Sequence, residues 1–78
     1  MLILKLKNES VGKVVFDYFP ENKEQYGTLE IDKSTGDIEI IKISENDEFR
    51  TYLHKAVSQI TKYFENGKYQ SESIVAWY

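Results

Sequence analysis

The stretch FRTYLHKAVSQITKYF, residues 49–64, determines how the rest of the sequence is interpreted. Its apolar residues recur at steps of three and four, which at about 100° per residue places them on one continuous half of a helix. The other residues of the stretch are polar and occupy the opposite half. The apolar positions are Phe49, Tyr52, Leu53, Ala56, Val57, Ile60, Tyr63 and Phe64. The sequence therefore predicts one amphipathic helix with a single buried face.

The residues that flank this stretch carry signals for the two ends of the helix. Ser44 is predicted to cap the first turn, with Asp47 three residues later. Glu45, Asp47 and Glu48 lie where the helix dipole favours negative charge. Gly67 is expected to end the helix, because glycine readily takes the left-handed conformation that closes a last turn.

Five other segments have the residue patterns of strands. In the first, Leu2, Leu4 and Leu6 alternate with Ile3 and Lys5, which is the period-two pattern of a strand with one buried face. The later segments are rich in β-branched and aromatic residues. The predicted strands cover residues 2–7, 13–19, 26–32, 37–43 and 71–78.

Two turn signals separate these strands. Pro20 is expected to end the second strand, because proline has no backbone N–H to donate to a neighbour. Residues 33–36 form the clearest hairpin signal, since Gly36 can take the positive φ that closes such a turn. The predicted fold is α+β: an antiparallel sheet of about four to five strands, in β-β-β-β-α-β order, with one long amphipathic helix packed on one face.

Length and composition are those of one small domain covering residues 1–78. Cysteine is absent and His54 is the only histidine, so neither a disulfide nor a zinc site is expected to reinforce the core. The aromatic content of 14% is the remaining resource for burying a large area. The first seven residues are too short and too rich in lysine for a signal peptide, and the protein is therefore expected to be cytoplasmic, with no membrane partner. Its lysine-rich, arginine-poor usage hints at a bacterial source.

The residues that carry charge or chemistry give little support to an enzymatic or nucleic-acid-binding function. The net charge of −3 argues against nucleic acid as a partner, and the dispersed cations of the helix do not form a basic stripe. His54 lies on the polar half of the helix, and no spacing selects a nucleophile or base beside it. No catalytic residue, cofactor or metal is predicted.

Acidic residues near the hairpin invite comparison with known sites. Residues 32–37 resemble a calcium loop only in part, because Gly36 is fifth instead of sixth and Ile43 stands where a distal glutamate is required. Glu30 and Glu39 are expected to share one sheet face with Asp32, as acids do in any solvated hairpin. The hairpin interpretation is therefore favoured over a metal or paired-carboxylate site.

Apolar residues also occupy the strand positions that should face away from the helix. A single helix covers only one face of a sheet, so these residues are expected to form a second apolar surface, either an interface or a secondary core closed by sheet curvature near Tyr26. The residues of this possible interaction surface are Ile3, Val15, Phe19, Ile41, Ile43, Val75 and Trp77.

The function that these features favour is a small non-enzymatic protein-interaction or regulatory module, homodimeric or inhibitor-like, whose partner is a protein, either itself or another. The alternative is a small-ligand-binding domain or enzyme subunit with a pocket between helix and sheet. The sequence contains no motif that decides between the two.

Overall fold

The computed structural model of the protein describes residues 1–21, 24–45, 47 and 50–76. It contains one five-stranded antiparallel sheet and one helix. The α+β class and the β-β-β-β-α-β order predicted from the sequence are confirmed. The elements are β1 (Leu2–Glu9), β2 (Lys13–Pro20), β3 (Gly27–Asp32), β4 (Ile38–Lys42), α1 (Thr51–Asn66) and β5 (Glu72–Val75).

The strand order in the sheet is β4-β3-β2-β1-β5. The first four strands follow one another as antiparallel neighbours, and β5 pairs with β1 after the chain has crossed the sheet as α1. This return makes β4 and β5 the two edges of the sheet. The backbone of α1 comes closest to β1, β2 and β5, so the helix lies away from the β4 edge.

The core forms between α1 and the alternate strand residues that point towards it. In β1 and β2 these are the leucines, Val14, Phe16 and Tyr18, and in β3 they are Leu29 and Ile31. The helix contributes the apolar half predicted from its spacing. Its buried members are Leu53, Ala56, Ile60 and Tyr63.

The start of α1 differs from the prediction. The carboxylate of Asp47, not Ser44, accepts hydrogen bonds from the first turn, at 3.0 Å from the Tyr52 nitrogen and 2.7 Å from the Leu53 nitrogen. Ser44 is instead engaged with the sheet, since its N–H donates to the Tyr18 hydroxyl at 3.0 Å. The prediction of a Ser44 cap was wrong because α1 begins only at Thr51, so that Arg50, in a left-handed conformation with φ 58°, occupies the N-cap position and Ser44 lies six residues before it.

The glycine signals behave as expected. Gly67 has φ 71°, and its N–H donates to the Phe64 carbonyl at the end of α1. Gly36 has φ 82° in the hairpin between β3 and β4. The last strand, β5, is shorter than predicted, because it ends at Val75. Trp77 lies outside the described residues. Glu48 and Phe49, at the start of the predicted helix, also lie outside them.

Candidate interaction groove

The β4 edge carries the main concentration of exposed aliphatic side chains among the described residues. Ile40 and Ile41 are 49% and 55% exposed, and Ile43, just beyond the strand, is 37% exposed. Ile40 pairs with Leu29 of β3, whose side chain is fully buried, so Ile40 lies on the helix side of the sheet. Its exposure follows from the position of α1, which covers the other end of the sheet.

The gap between β4 and the first half of α1 is a cavity of about 460 Å³, which we call the β4 groove. The strand side provides Ile40 and Ile43, and the helix side provides Leu53 and Val57. Leu53 and Val57 are four residues apart and therefore lie on the same face of the helix, one turn above the other. The groove is thus lined on both sides by aliphatic carbon.

Two cationic or ionisable side chains complete the lining of the β4 groove. Arg50 and His54 are also four residues apart, and the Arg50 carbonyl accepts the His54 N–H at 3.0 Å. Both residues are exposed. Within the described part of the chain, the Arg50 guanidinium makes no ion pair. The groove therefore combines an apolar interior with a guanidinium and an imidazole along one side.

The sheet face opposite α1, which we call the open face, holds only part of the interaction surface predicted from the sequence. Ile3 is 9% exposed, and Val15 and Phe19 are half-buried. The Phe19 ring packs against Tyr26, with 5.4 Å between ring centroids. Ile3 pairs with Phe19 across β1 and β2, so Ile3, Phe19 and Tyr26 form a small apolar cluster on the open face, whereas Val15 lies farther along β2, beyond Asp17.

Lysine side chains lie over the aromatic rings of this cluster. The Lys5 Nζ is 5.1 Å from the centroid of Phe19, and the Lys42 Nζ is 4.2 Å from that of Tyr26. Each ammonium is attracted to the ring face, while its aliphatic stem covers apolar surface. The sequence left two alternatives open for this surface, an interface and a secondary core near Tyr26. This geometry agrees with the secondary core.

The other members of the predicted surface lie elsewhere. Ile41 falls at a register shift of β4, and Ile43 lines the β4 groove. Val75 pairs with Leu2 and packs against the main core on the helix side. Trp77 lies outside the described residues. The described members of the predicted surface are therefore divided between the open face, the β4 edge with its groove, and the core.

The groove residues on α1 were not recognised from the sequence. Helical spacing predicts that Leu53 and Val57 belong to the core, and that Arg50 and His54 belong to the solvated half of the helix. The one available signal was the run of isoleucines at 40, 41 and 43, which exceeds what one-sided alternation explains. This run indicates a groove only in combination with the position of β4 at the edge of the sheet.

Acidic side chains near the hairpin form an ionic surface with Lys13. Glu30 and Glu39 lie opposite each other on β3 and β4, and the Lys13 Nζ is 3.2 Å from the Glu30 Oε1. The hydrogen bond and charge of Glu30 raise the pKa of Lys13 above its ordinary value of 10.5. The described residues include no group of three or more His, Cys, Asp or Glu side chains placed to hold a metal ion.

Asp32 has a structural role in the turn. Its Oδ1 accepts the Ser34 hydroxyl at 2.7 Å and the Ser34 N–H at 2.8 Å, and the Thr35 N–H is 3.3 Å away. These donors stabilise the ionised carboxylate and hold the pKa of Asp32 below its ordinary value of 3.8, with the Ser34 hydroxyl as the largest cause. The carboxylate thus organises the hairpin.

The pH dependence of this turn is testable. Because the folded-state pKa of Asp32 is depressed, its contribution to stability is present above pH 3.8 and is lost as the pH falls through the folded value. NMR titration of the carboxyl carbon should show a midpoint below 3.8, and Ser34→Ala should raise it. Thr35→Ala is the control, because it keeps the backbone donor. A midpoint in the Ser34→Ala variant equal to that of the unaltered protein would contradict this assignment.

Comparisons with protein-family models, with curated proteins and with solved structures find no match for this chain. Within the part of the chain that the structure describes, the helix is too short and too polar to cross a membrane. The fold defines a small α+β domain, and its function is therefore argued from the surfaces described above.

Proposed function

We propose that this protein is a non-enzymatic interaction module that binds an extended polypeptide segment along β4. The observation that carries the proposal is the coincidence of a sheet edge with an apolar groove. Within the described residues, β4 pairs with β3 on one side and with no strand on the other. The groove lies directly beside this edge, on the helix side of the sheet.

The edge strand supports this mode of binding through its backbone. Alternate residues of an edge strand direct their N–H and C=O groups away from the sheet, where a further strand satisfies them. Addition of a partner segment to β4 would extend the sheet by one strand and supply main-chain hydrogen bonds that do not depend on the partner's sequence.

The groove supports selectivity among partners. Successive side chains of a bound strand point to opposite faces, so every second residue would lie on the helix side, next to Ile40 and across from Leu53 and Val57. Aliphatic residues at those positions would remove both their own surface and that of Ile40 from water, which is favourable by about 25 cal/mol per Å² of apolar area. We therefore expect the partner segment to carry an apolar residue at every second position.

The same groove supports the alternative function, a small-ligand site between helix and sheet. Its volume of about 460 Å³ is in the range of about 300 to 1,000 Å³ that is usual for such sites. A ligand of that kind would use the aliphatic lining without needing the backbone of β4. The two functions are separable because only strand addition requires hydrogen bonds to the edge.

The test begins with selection from a library of random peptides about six residues long, the usual length of a strand. Binding of a selected peptide is then followed by NMR. We expect amide shifts along β4 and the facing side of α1. A copy of the peptide that is N-methylated at alternate backbone positions should lose at least about tenfold in affinity, because methylation removes the donors for the edge.

Matched variants locate the binding surface. Val57→Arg should fill the groove and weaken binding by at least about tenfold, whereas Ser58→Arg adds the same charge on the exposed side of α1 and should not. Ile40→Ser should also weaken binding. Ile74→Ser is its control, because Ile74 is 66% exposed on the opposite edge strand. Circular dichroism confirms that each variant is folded.

Other outcomes would reject the proposal. Full affinity of the N-methylated peptide would exclude strand addition. Decanoate, a small amphipathic molecule, serves as the probe for the small-ligand site. If no peptide is selected whose binding Val57→Arg weakens, and if Val57→Arg abolishes the binding of decanoate, the small-ligand site is favoured. Self-association that Ile40→Ser abolishes, without peptide binding, would identify the occupant of β4 as a second copy of the chain.

A further inference from the structure

The cationic side of the β4 groove carries information about the partner's chemistry. Resting on the proposed function, we infer that the bound segment presents a carboxylate to Arg50 and His54 next to an apolar side chain in the groove. Both residues line the groove together with Leu53 and Val57. A segment lying along β4 would therefore meet aliphatic and polar side chains within the same groove.

The Arg50 side chain is available for this contact. The nearest described carboxylate in sequence, that of Asp47, is buried, and its two oxygens accept the N–H groups of Tyr52 and Leu53. Asp47 is thus committed to the start of α1. Across the described residues, no salt bridge to the Arg50 guanidinium is formed.

The backbone conformation fixes the position of Arg50 relative to His54. Arg50 has φ 58°, and its carbonyl accepts the His54 N–H at 3.0 Å, which sets the two residues one helical turn apart. A guanidinium offers paired N–H donors that match the two oxygens of a carboxylate, and the imidazole supplies a further donor or acceptor. Such a carboxylate would be held beside apolar surface, where charged hydrogen bonds are stronger than in open water.

The net charge of the whole protein restricts how many acidic groups the partner segment can carry. The net charge of −3 repels a strongly acidic segment, so a run of glutamates would gain a local contact and lose at long range. A single carboxylate among apolar residues avoids this repulsion. Such a group is either the C-terminal carboxylate of the partner or one acidic side chain within it.

The experiment uses the peptide selected for the β4 groove in three forms. These forms are the free acid, the C-terminal amide, and the amide in which any acidic side chain is replaced by its amide counterpart. Loss of affinity on the first change identifies the C-terminus, and loss only on the second identifies the side chain. We expect one of these changes to weaken binding to the unaltered protein by about tenfold or more.

Arg50→Gln supplies the decisive comparison. In this variant most of the preference for the acid over the amide forms should be lost, because the guanidinium that pairs with the carboxylate is gone. Lys62→Gln removes a cation from the exposed side of α1 and should leave the preference for the acid unchanged. His54→Gln should reduce that preference in part.

The outcomes separate this inference from the proposed function. Equal binding of the acid and both amide forms to the unaltered protein would overturn carboxylate recognition and leave strand addition intact. A preference for the acid that is as large in Arg50→Gln as in the unaltered protein would place the carboxylate elsewhere and would also overturn the inference. If no peptide can be selected whose binding Val57→Arg weakens, the proposed function itself is rejected.

Discussion

Gly27→Ala is expected to unfold the domain or to lower its free energy of unfolding by about 3 kcal/mol or more. A Cβ at residue 27 would lie 2.6 Å from the Tyr18 Oη and closer still to two atoms of the Tyr18 ring. Tyr18 is fully buried, and its hydroxyl accepts the Ser44 N–H at 3.0 Å. The ring therefore has no free space into which it can move without breaking this hydrogen bond and disturbing the core.

Gly12→Ala is the matched control for this substitution. A Cβ at residue 12 would have no neighbouring atom within 4 Å, and its φ is not in the left-handed region. Urea denaturation followed by circular dichroism should show a lower midpoint for Gly27→Ala and little change for Gly12→Ala. Similar midpoints for the two variants would show that the packing of Tyr18 against Gly27 does not limit stability.

Ile60→Ala is expected to destabilise the protein by about 2 to 5 kcal/mol. Ile60 is fully buried on the apolar half of α1, in the core that the helix forms with the sheet. The loss combines the transfer free energy of the removed carbons with the cost of the cavity left behind. A domain of 78 residues has a total stability of about 4 to 12 kcal/mol, so this single change removes a large share of it.

Thr61→Ala is the control for Ile60→Ala, because Thr61 is the next residue along α1 and is exposed. Chemical denaturation should separate the two variants clearly, and calorimetry should show a lower melting temperature only for Ile60→Ala. If Ile60→Ala instead unfolds at the same denaturant concentration as the unaltered protein, the packing of α1 on the sheet would be wrong.

The position of α1 links the stability of the fold to the proposed function. The helix lies over β1, β2 and β5, and its packing there leaves the β4 groove uncovered at the other end of the sheet. Leu53 belongs to both regions, since it is buried in the core and lines the groove. Substitutions at Leu53 should therefore affect stability and binding together, whereas Val57 and Ile40 allow binding to be tested with less effect on the core.

Local sequence determined the elements of this protein. The spacing of apolar residues through Ile60 and Tyr63 identified the buried half of α1, because helical periodicity depends on residues three and four apart. Gly36 and Gly67 marked a turn and a helix end for the same reason, since the conformations they allow are properties of single residues. Alternation of leucines in β1 likewise predicted which side of that strand is buried.

Tertiary structure alone decided where the surfaces of those elements lie. The sequence did not indicate that β4 is an edge, because strand order depends on contacts between residues far apart in the chain. It also did not reveal that Lys5 and Lys42 cover the rings of Phe19 and Tyr26, or that Asp47 caps α1 instead of Ser44. Periodicity determines which residues are apolar on an element, whereas the lateral position of α1 on the sheet determines whether Ile40 becomes core or the wall of a groove.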